Sequence, residues 1–170
     1  MNYNRSDLLL ADATMNQLRN AIYHLARFLN RNGVQNLKER LRQMGRNISK
    51  TYMKYWMPVD NVNFNNIREV IATIYKEVLK TSVSVELNEV EQLIIVNDSN
   101  CPLCKYEYDD VDVAGCEIIL GMISEFINMI NANSREKSLL LLEPIRVQES
   151  KALGNNTCVQ IFKYKAGGVQ

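Results

Sequence analysis

The sequence predicts an α+β fold in which long antiparallel helices and a buried central helix pack on a small antiparallel sheet. Three observations predict it. Apolar residues recur at 3-4 spacing through most of residues 12–78. Two pairs of short segments with strand character follow, each pair reading as a hairpin. Between the pairs lies one segment that is apolar on almost every side. Runs of helices and runs of hairpins, rather than alternating strand–helix units, argue for helices packed on an antiparallel sheet. At 170 residues, 46% hydrophobic and 23% charged, the chain is expected to form one domain over 1–170, with a disordered tail at 166–170. Collagen-like and disordered compositions are excluded.

The first helix follows Asp12, with Met15, Leu18, Ile22, Leu25 and Leu29 on one face. It stops at Asn30-Arg31-Asn32-Gly33, where Gly33 can take the left-handed conformation of a helix end. The second carries Leu37, Leu41, Met44, Ile48, Tyr52 and Tyr55 up to Pro58, and the short link makes it an antiparallel neighbour of the first. A third is marked by Ile67, Val70, Ile71, Ile74 and Val78. Residues 82–87 alternate around Val83 and Val85, and 91–96 are rich in branched side chains, so the two read as a hairpin. Residues 97–112 form an irregular loop holding Cys101-Pro102-Leu103-Cys104 and the acids Glu107, Asp109, Asp110 and Asp112. From 113 to about 130 runs the all-round apolar helix, which must be buried on most sides. Two more strands, 139–147 and 158–164, turn around Gly154-Asn155-Asn156.

Charge is unevenly spread. The net charge is +1, yet residues 1–60 carry +6 and the remainder −5. Lys38, Arg42, Arg46, Lys50 and Lys54 follow one another at i, i+4 on the second helix, one stripe that calls for acidic partners, an anionic membrane surface or plain solvation. Nucleic acid is not expected as a partner, because no aromatic residues interleave with the stripe and the isoelectric point is only 7.6.

Signatures of common enzymes are missing. Neither a Gly-x-Gly-x-x-Gly nor a P-loop is present, and Gly-x-Ser-x-Gly is absent. The one histidine, His24, lies mid-helix without a companion ligand and reads as a surface or packing residue. The chain is therefore expected to be non-enzymatic. The first apolar run, Leu8 to Ala11, is stopped by Asp12, so no export signal is expected. No stretch reaches the ~18–20 apolar residues of a spanning helix. A cytoplasmic location follows, in places peripheral to membrane, where cysteines are thiols or metal ligands rather than disulfides.

Cys101 and Cys104 have the Cys-x-x-Cys spacing of a metal-binding turn, Cys116 opens the apolar helix and Cys158 sits in the last strand. All four meet only if the loop packs over the helix start and the last strand passes beside it. Structural zinc on four thiolates is one reading. Two loop thiols plus two small buried hydrophobes is the second. A redox pair is the third, disfavoured because the motif does not open a helix and acids follow it.

Leu41-Arg42-Gln43-Met44-Gly45-Arg46-Asn47-Ile48 resembles the Met-Gly-x-Asn-Ile-Gly segment in the second helix of TRAPP small subunits of the Bet type, which are vesicle-tethering proteins. The order of elements is similar, and Cys116 to Gly121 stands where those subunits have a Cys-Gly-x-x-x-Gly helix start. The run from Val147 to Cys158 is similar to the close of 4-vinyl-reductase-type domains, prokaryotic relatives of that fold. Ser49 replaces the family's second glycine, and Thr51 stands where arginine is frequent. In the sensor branch zinc is held by a helix-start cysteine and by Glu, Cys and Cys near the end. Cys116 and Cys158 match two of these positions, while Val147 and Ser150 depart, leaving Cys101 and Cys104 as substitutes. Acylated subunits carry a cysteine between the second and third helices; residues 60–64 here have none.

The resemblance implies an archaeal or divergent scaffold subunit that dimerises with itself or a related subunit. Its long helices would do so through Leu18, Ile22, Leu25, Leu41, Met44 and Ile48. It would meet a small GTPase only through a larger complex. The alternative it implies is a small-molecule sensor domain using an apolar channel between helices and sheet as its pocket.

Overall fold

The computed structural model describes residues 5–135 and 140–166. The described residues form four α-helices and four strands: α1 (Arg5–Arg31), α2 (Leu37–Tyr52), α3 (Ile67–Ile74), β1 (Ser84–Asn88), β2 (Leu93–Asp98), α4 (Cys116–Asn133), β3 (Leu140–Glu149) and β4 (Cys158–Ala166). A π-helical turn, Tyr75–Leu79, extends α3, and a single 3₁₀ turn, Lys151–Leu153, joins β3 to β4. The α+β architecture is the expected one. Of the expected disordered tail, Ala166 ends β4 and 167–170 lie outside the described residues, as does Leu139 at the expected start of β3.

The sheet is antiparallel throughout with strand order β1-β2-β4-β3. The last strand is therefore interior, pairing with β2 on one side and β3 on the other, and the two hairpins share one sheet. β3, an edge strand, is interrupted twice in its pairing, between Pro144 and Arg146 and between Val147 and Glu149. Such bulges blunt an edge against pairing with other chains.

α4 lies between α2 and the β3–β4 side of the sheet. Its residues are buried almost all round, including Ile118, Ile119, Leu120, Ile123, Phe126, Ile127 and Ile130, as its composition requires. The approach of α2 is close because two glycines permit it. A Cβ on Gly45 would lie 1.9 Å from the carbonyl oxygen of Ile118, and one on Gly121 2.1 Å from that of Arg42. Ser49, one turn further along α2, is fully buried and donates its hydroxyl to Met122 O at 2.7 Å. The polar residue is tolerated there because its hydroxyl has an acceptor.

At the far end of α4, Asn131 accepts from Val62 N (2.8 Å) and donates to Val62 O (3.0 Å) and Leu140 O (2.7 Å), tying the α2–α3 link to β3. α1 differs from the other helices in how it is held. It makes few contacts with α2 and leans on the segment between β2 and α4. Among the described residues no helix is long and apolar enough to cross a membrane.

Candidate metal centre

The four cysteines meet. Their sulfurs all lie within 4.8 Å of one another, and all four residues are buried. The fold explains the convergence. Asp98, the last residue of β2, is the register partner of Cys158, the first residue of β4. The chain leaving β2 therefore reaches Cys101 three residues later beside Cys158. A tight turn closed by Cys104 N donating to Cys101 O (3.2 Å) brings the second sulfur round. Cys116 is the first residue of α4, where the helix dipole favours a thiolate.

One backbone N–H and two hydroxyls surround the sulfurs. Lys151 N donates to Cys158 Sγ at 3.5 Å, and the Tyr23 hydroxyl stands 3.6 Å from Cys104 Sγ. Ser150 Oγ lies 3.7 Å from Cys116 Sγ and 3.9 Å from Cys158 Sγ, and accepts from Ala152 N. Burial raises the Tyr23 phenol above its ordinary range, helped by the charge of Cys104, so it stays a proton donor. Hydrogen bonds from the other thiols, Cys101 first, hold Cys104 well below the ordinary thiol range, and Cys158 is lowered chiefly by its hydrogen bond with Cys101. Cys101 and Cys116 are pushed up, first by their hydrogen bonds to Cys104 and to Cys101 respectively. Left to themselves, the four cannot all ionise in so small a buried volume. A divalent cation removes that conflict. Tetrahedral zinc with Zn–S bonds of about 2.3 Å sets sulfurs about 3.8 Å apart, inside the observed separation, and an all-thiolate set is among its structural ligand sets. The residues fit the ion in number, type and spacing.

The other residues singled out from sequence fall differently. The basic stripe does not stand as a free cationic face. Arg42 pairs with buried Glu117 (2.7 Å) and donates to Pro144 O and Ile145 O; Arg46 pairs with Glu39; Lys50 lies 3.5 Å from Glu125. Only Lys38 and Lys54 of the five are exposed without such a pairing among the described contacts. Helical spacing shows one helix at a time, so the acids arriving from α4 were invisible to it. Of the six residues expected at a dimer face, Ile22 and Leu41 are buried in the chain's own core, and Met44 is half-buried against it. Leu18, Leu25 and Ile48 remain exposed, joined by Phe28, which was not anticipated. His24 is exposed on α1.

Tyr23 was also missed. Its signal was available, since Arg19, Tyr23 and Arg27 stand at i, i+4 and i+8 on α1 and the acidic loop supplies their complement. Arg27 forms a two-pronged pair with Asp110 (2.5 and 2.7 Å), and Asp12 faces Lys105 at 3.8 Å. Part of the charge imbalance between the two halves of the chain is thus resolved within it. Outside the cysteine cluster, a groove of about 580 Å³ is lined by Phe64, Arg68, Leu87, Glu89 and Tyr164, a mixed polar and aromatic wall rather than an apolar pocket.

The arrangement of elements has a solved counterpart. The chain superposes on a trafficking protein particle complex subunit 3 from Naegleria fowleri, solved covalently bound to palmitic acid, with a TM-score of 0.61 over 90% of this chain and 96% of that one. The fold is that of a TRAPP subunit. Identity is 14%, so the likeness is one of fold. No family model and no curated protein matches the chain.

Proposed function

We propose that this chain is a non-enzymatic, TRAPP-like scaffold subunit that assembles through α1 and the outer side of α2 and carries a structural zinc ion on Cys101, Cys104, Cys116 and Cys158. The observation that supports the scaffold reading most is the fold match over nearly the whole of both chains. The one that supports zinc is the convergence of four buried sulfurs. Leu18, Leu25, Phe28 and Ile48 offer the apolar surface, and a second copy or a related subunit is the partner; any small GTPase is met only within the larger assembly. The basic stripe is a poor membrane-binding face, because Arg42, Arg46 and Lys50 have acidic partners in the chain. S-acylation competes with the metal: the chain has four cysteines, all in the cluster, and lipid on one would remove a ligand.

Two measurements test the reading. Elemental analysis of protein purified without chelator is expected to give about one zinc per chain; no metal ends the zinc assignment. Native mass spectrometry is expected to show a dimer that Leu25→Asp disperses. Monomer at all concentrations up to about 50 µM, in a range where stable interfaces are populated, ends self-assembly.

A further inference from the structure

We infer that the metal centre is a latch for α1: with zinc bound the helix is docked, and with zinc removed it detaches together with the 99–115 segment while α2, α4 and the sheet stay packed. The inference rests on the zinc reading above and adds what the site controls.

Among the described residues, the hydrogen bonds and ion pairs that leave α1 for distant parts of the chain end within 102–115. Arg19 Nη1 donates to Pro102 O at 3.0 Å. The Tyr23 hydroxyl donates to Leu103 O and accepts from Gly115 N, both at 3.0 Å. Arg27 pairs with Asp110, and Asp12 with Lys105. The Tyr23 ring stacks on that of Tyr108, centroids 4.0 Å apart. The polar fastenings of the helix thus run to one segment, beside the burial of Ile22 and Ala26 and a light contact with α2, and that segment has no helix or strand of its own.

The cysteines are one of a few fastenings between the segment and the body. Tyr108 N donates to Ala152 O at 3.0 Å, Lys151 Nζ donates to Ser99 O at 3.1 Å, Leu103, Val113 and Ala114 are buried with Tyr108 and Val111 packed beside them, and Cys101 and Cys104 face Cys116 and Cys158. Two of the four sulfurs belong to the segment and two to the rigid elements α4 and β4. A shared ion therefore bridges the segment to the body through four bonds. Without it, four thiols in mutual contact offer weak hydrogen bonds only. The body has its own fastenings in the Gly45–Gly121 crossing, the Ser49 hydrogen bond and the Arg42–Glu117 pair, none of which passes through the segment. Metal content consequently governs whether α1 presents Leu18, Leu25 and Phe28 in a fixed place.

Hydrogen exchange read by mass spectrometry, on the full chain with zinc quantified in the same samples, tests this. After zinc removal, peptides from 12–31 and 101–115 are expected to exchange at least tenfold faster, with 116–133 unchanged and protection restored by zinc. Zinc bound at one per chain with equal α1 exchange before and after removal overturns the latch and leaves the zinc assignment standing; absence of zinc overturns the assignment itself. Should removal speed exchange everywhere, the zinc-loaded Tyr23→Phe/Arg27→Gln variant decides. A tenfold faster α1 with zinc retained supports the docking route, and an unchanged α1 overturns it.

Discussion

Arg42 of α2 donates Nε to Glu117 Oε2 at 2.7 Å, and the carboxylate it meets is almost completely buried in the first turn of α4. Its other nitrogens reach Pro144 O and Ile145 O, at the place where the pairing of β3 is interrupted. One guanidinium thus joins α2, α4 and β3. Removing a single partner leaves a buried charge uncompensated, so Glu117→Gln or Arg42→Met is expected to cost about 3–5 kcal/mol. Arg42→Met with Glu117→Leu is expected to cost less than either alone. Urea denaturation of the three variants makes the comparison, and singles within about 0.5 kcal/mol of the parent would contradict it.

Alanine at Gly45 or Gly121 should be destabilising even though alanine is the better helix former by about 1 kcal/mol. The added methyl meets backbone, Ile118 O in one case and Arg42 O in the other, and backbone cannot rotate away. Overpacking of this kind costs about 1–3 kcal/mol, and more where helices must separate. A thermal midpoint equal to or above the parent's would show that α2 and α4 are not so close.

Ser150 Oγ lies beside two of the sulfurs without being a ligand. Groups of this kind change affinity by about 10–100-fold when removed. Ser150→Ala is expected to bind zinc at the same stoichiometry and at least tenfold more weakly in competition with a chromophoric chelator, whereas Cys116→Ser or Cys158→Ser loses the fourth thiolate. Equal affinity for Ser150→Ala would leave the hydroxyl no part in the centre.

The Arg27 guanidinium, by its hydrogen bonds above all, holds the Asp110 carboxyl below the ordinary aspartate range. A carboxyl lowered in the folded state stabilises above its unfolded value, about 3.9, and that contribution is lost as pH falls through the folded value. The docking of α1 should accordingly weaken in acid below about pH 4. Carboxyl NMR titration of Asp110 reads it directly. Arg27→Gln is expected to return Asp110 towards its ordinary value, and an unmoved titration would dissolve the pair.

Periodicity exposed what must be buried, and left open what does the burying. The unbroken apolar pattern of 116–133 announced a helix covered on most sides, and α4 is that helix. Cys101 and Cys104 were legible because two cysteines on one turn are local. Their meeting with Cys116 and Cys158 depended on the Asp98–Cys158 register, a long-range pairing that no window of sequence contains. The same limit explains Ile22 and Leu41, whose helical spacing fits a dimer seam and a monomer core equally well. It also explains the basic stripe, where Glu117 and Glu125 come from a helix some 75 residues away in the chain. The acidic loop looked like a reason for thiols to stay protonated; in the structure it faces Arg27, and part of its charge is answered by α1.

The crossing at Gly45 and Gly121 has a mechanical consequence. With each glycine seated over the other helix's backbone, neither helix can slide or roll by a residue without driving a side chain into a peptide plane. Stiffness is therefore unequally distributed: the α2–α4 pair behaves as a clamped joint, and α1 is tethered to it through the five residues between Arg31 and Leu37. A tug on α1 from an assembled partner would be carried into the cysteine-bearing segment, leaving α2 unmoved.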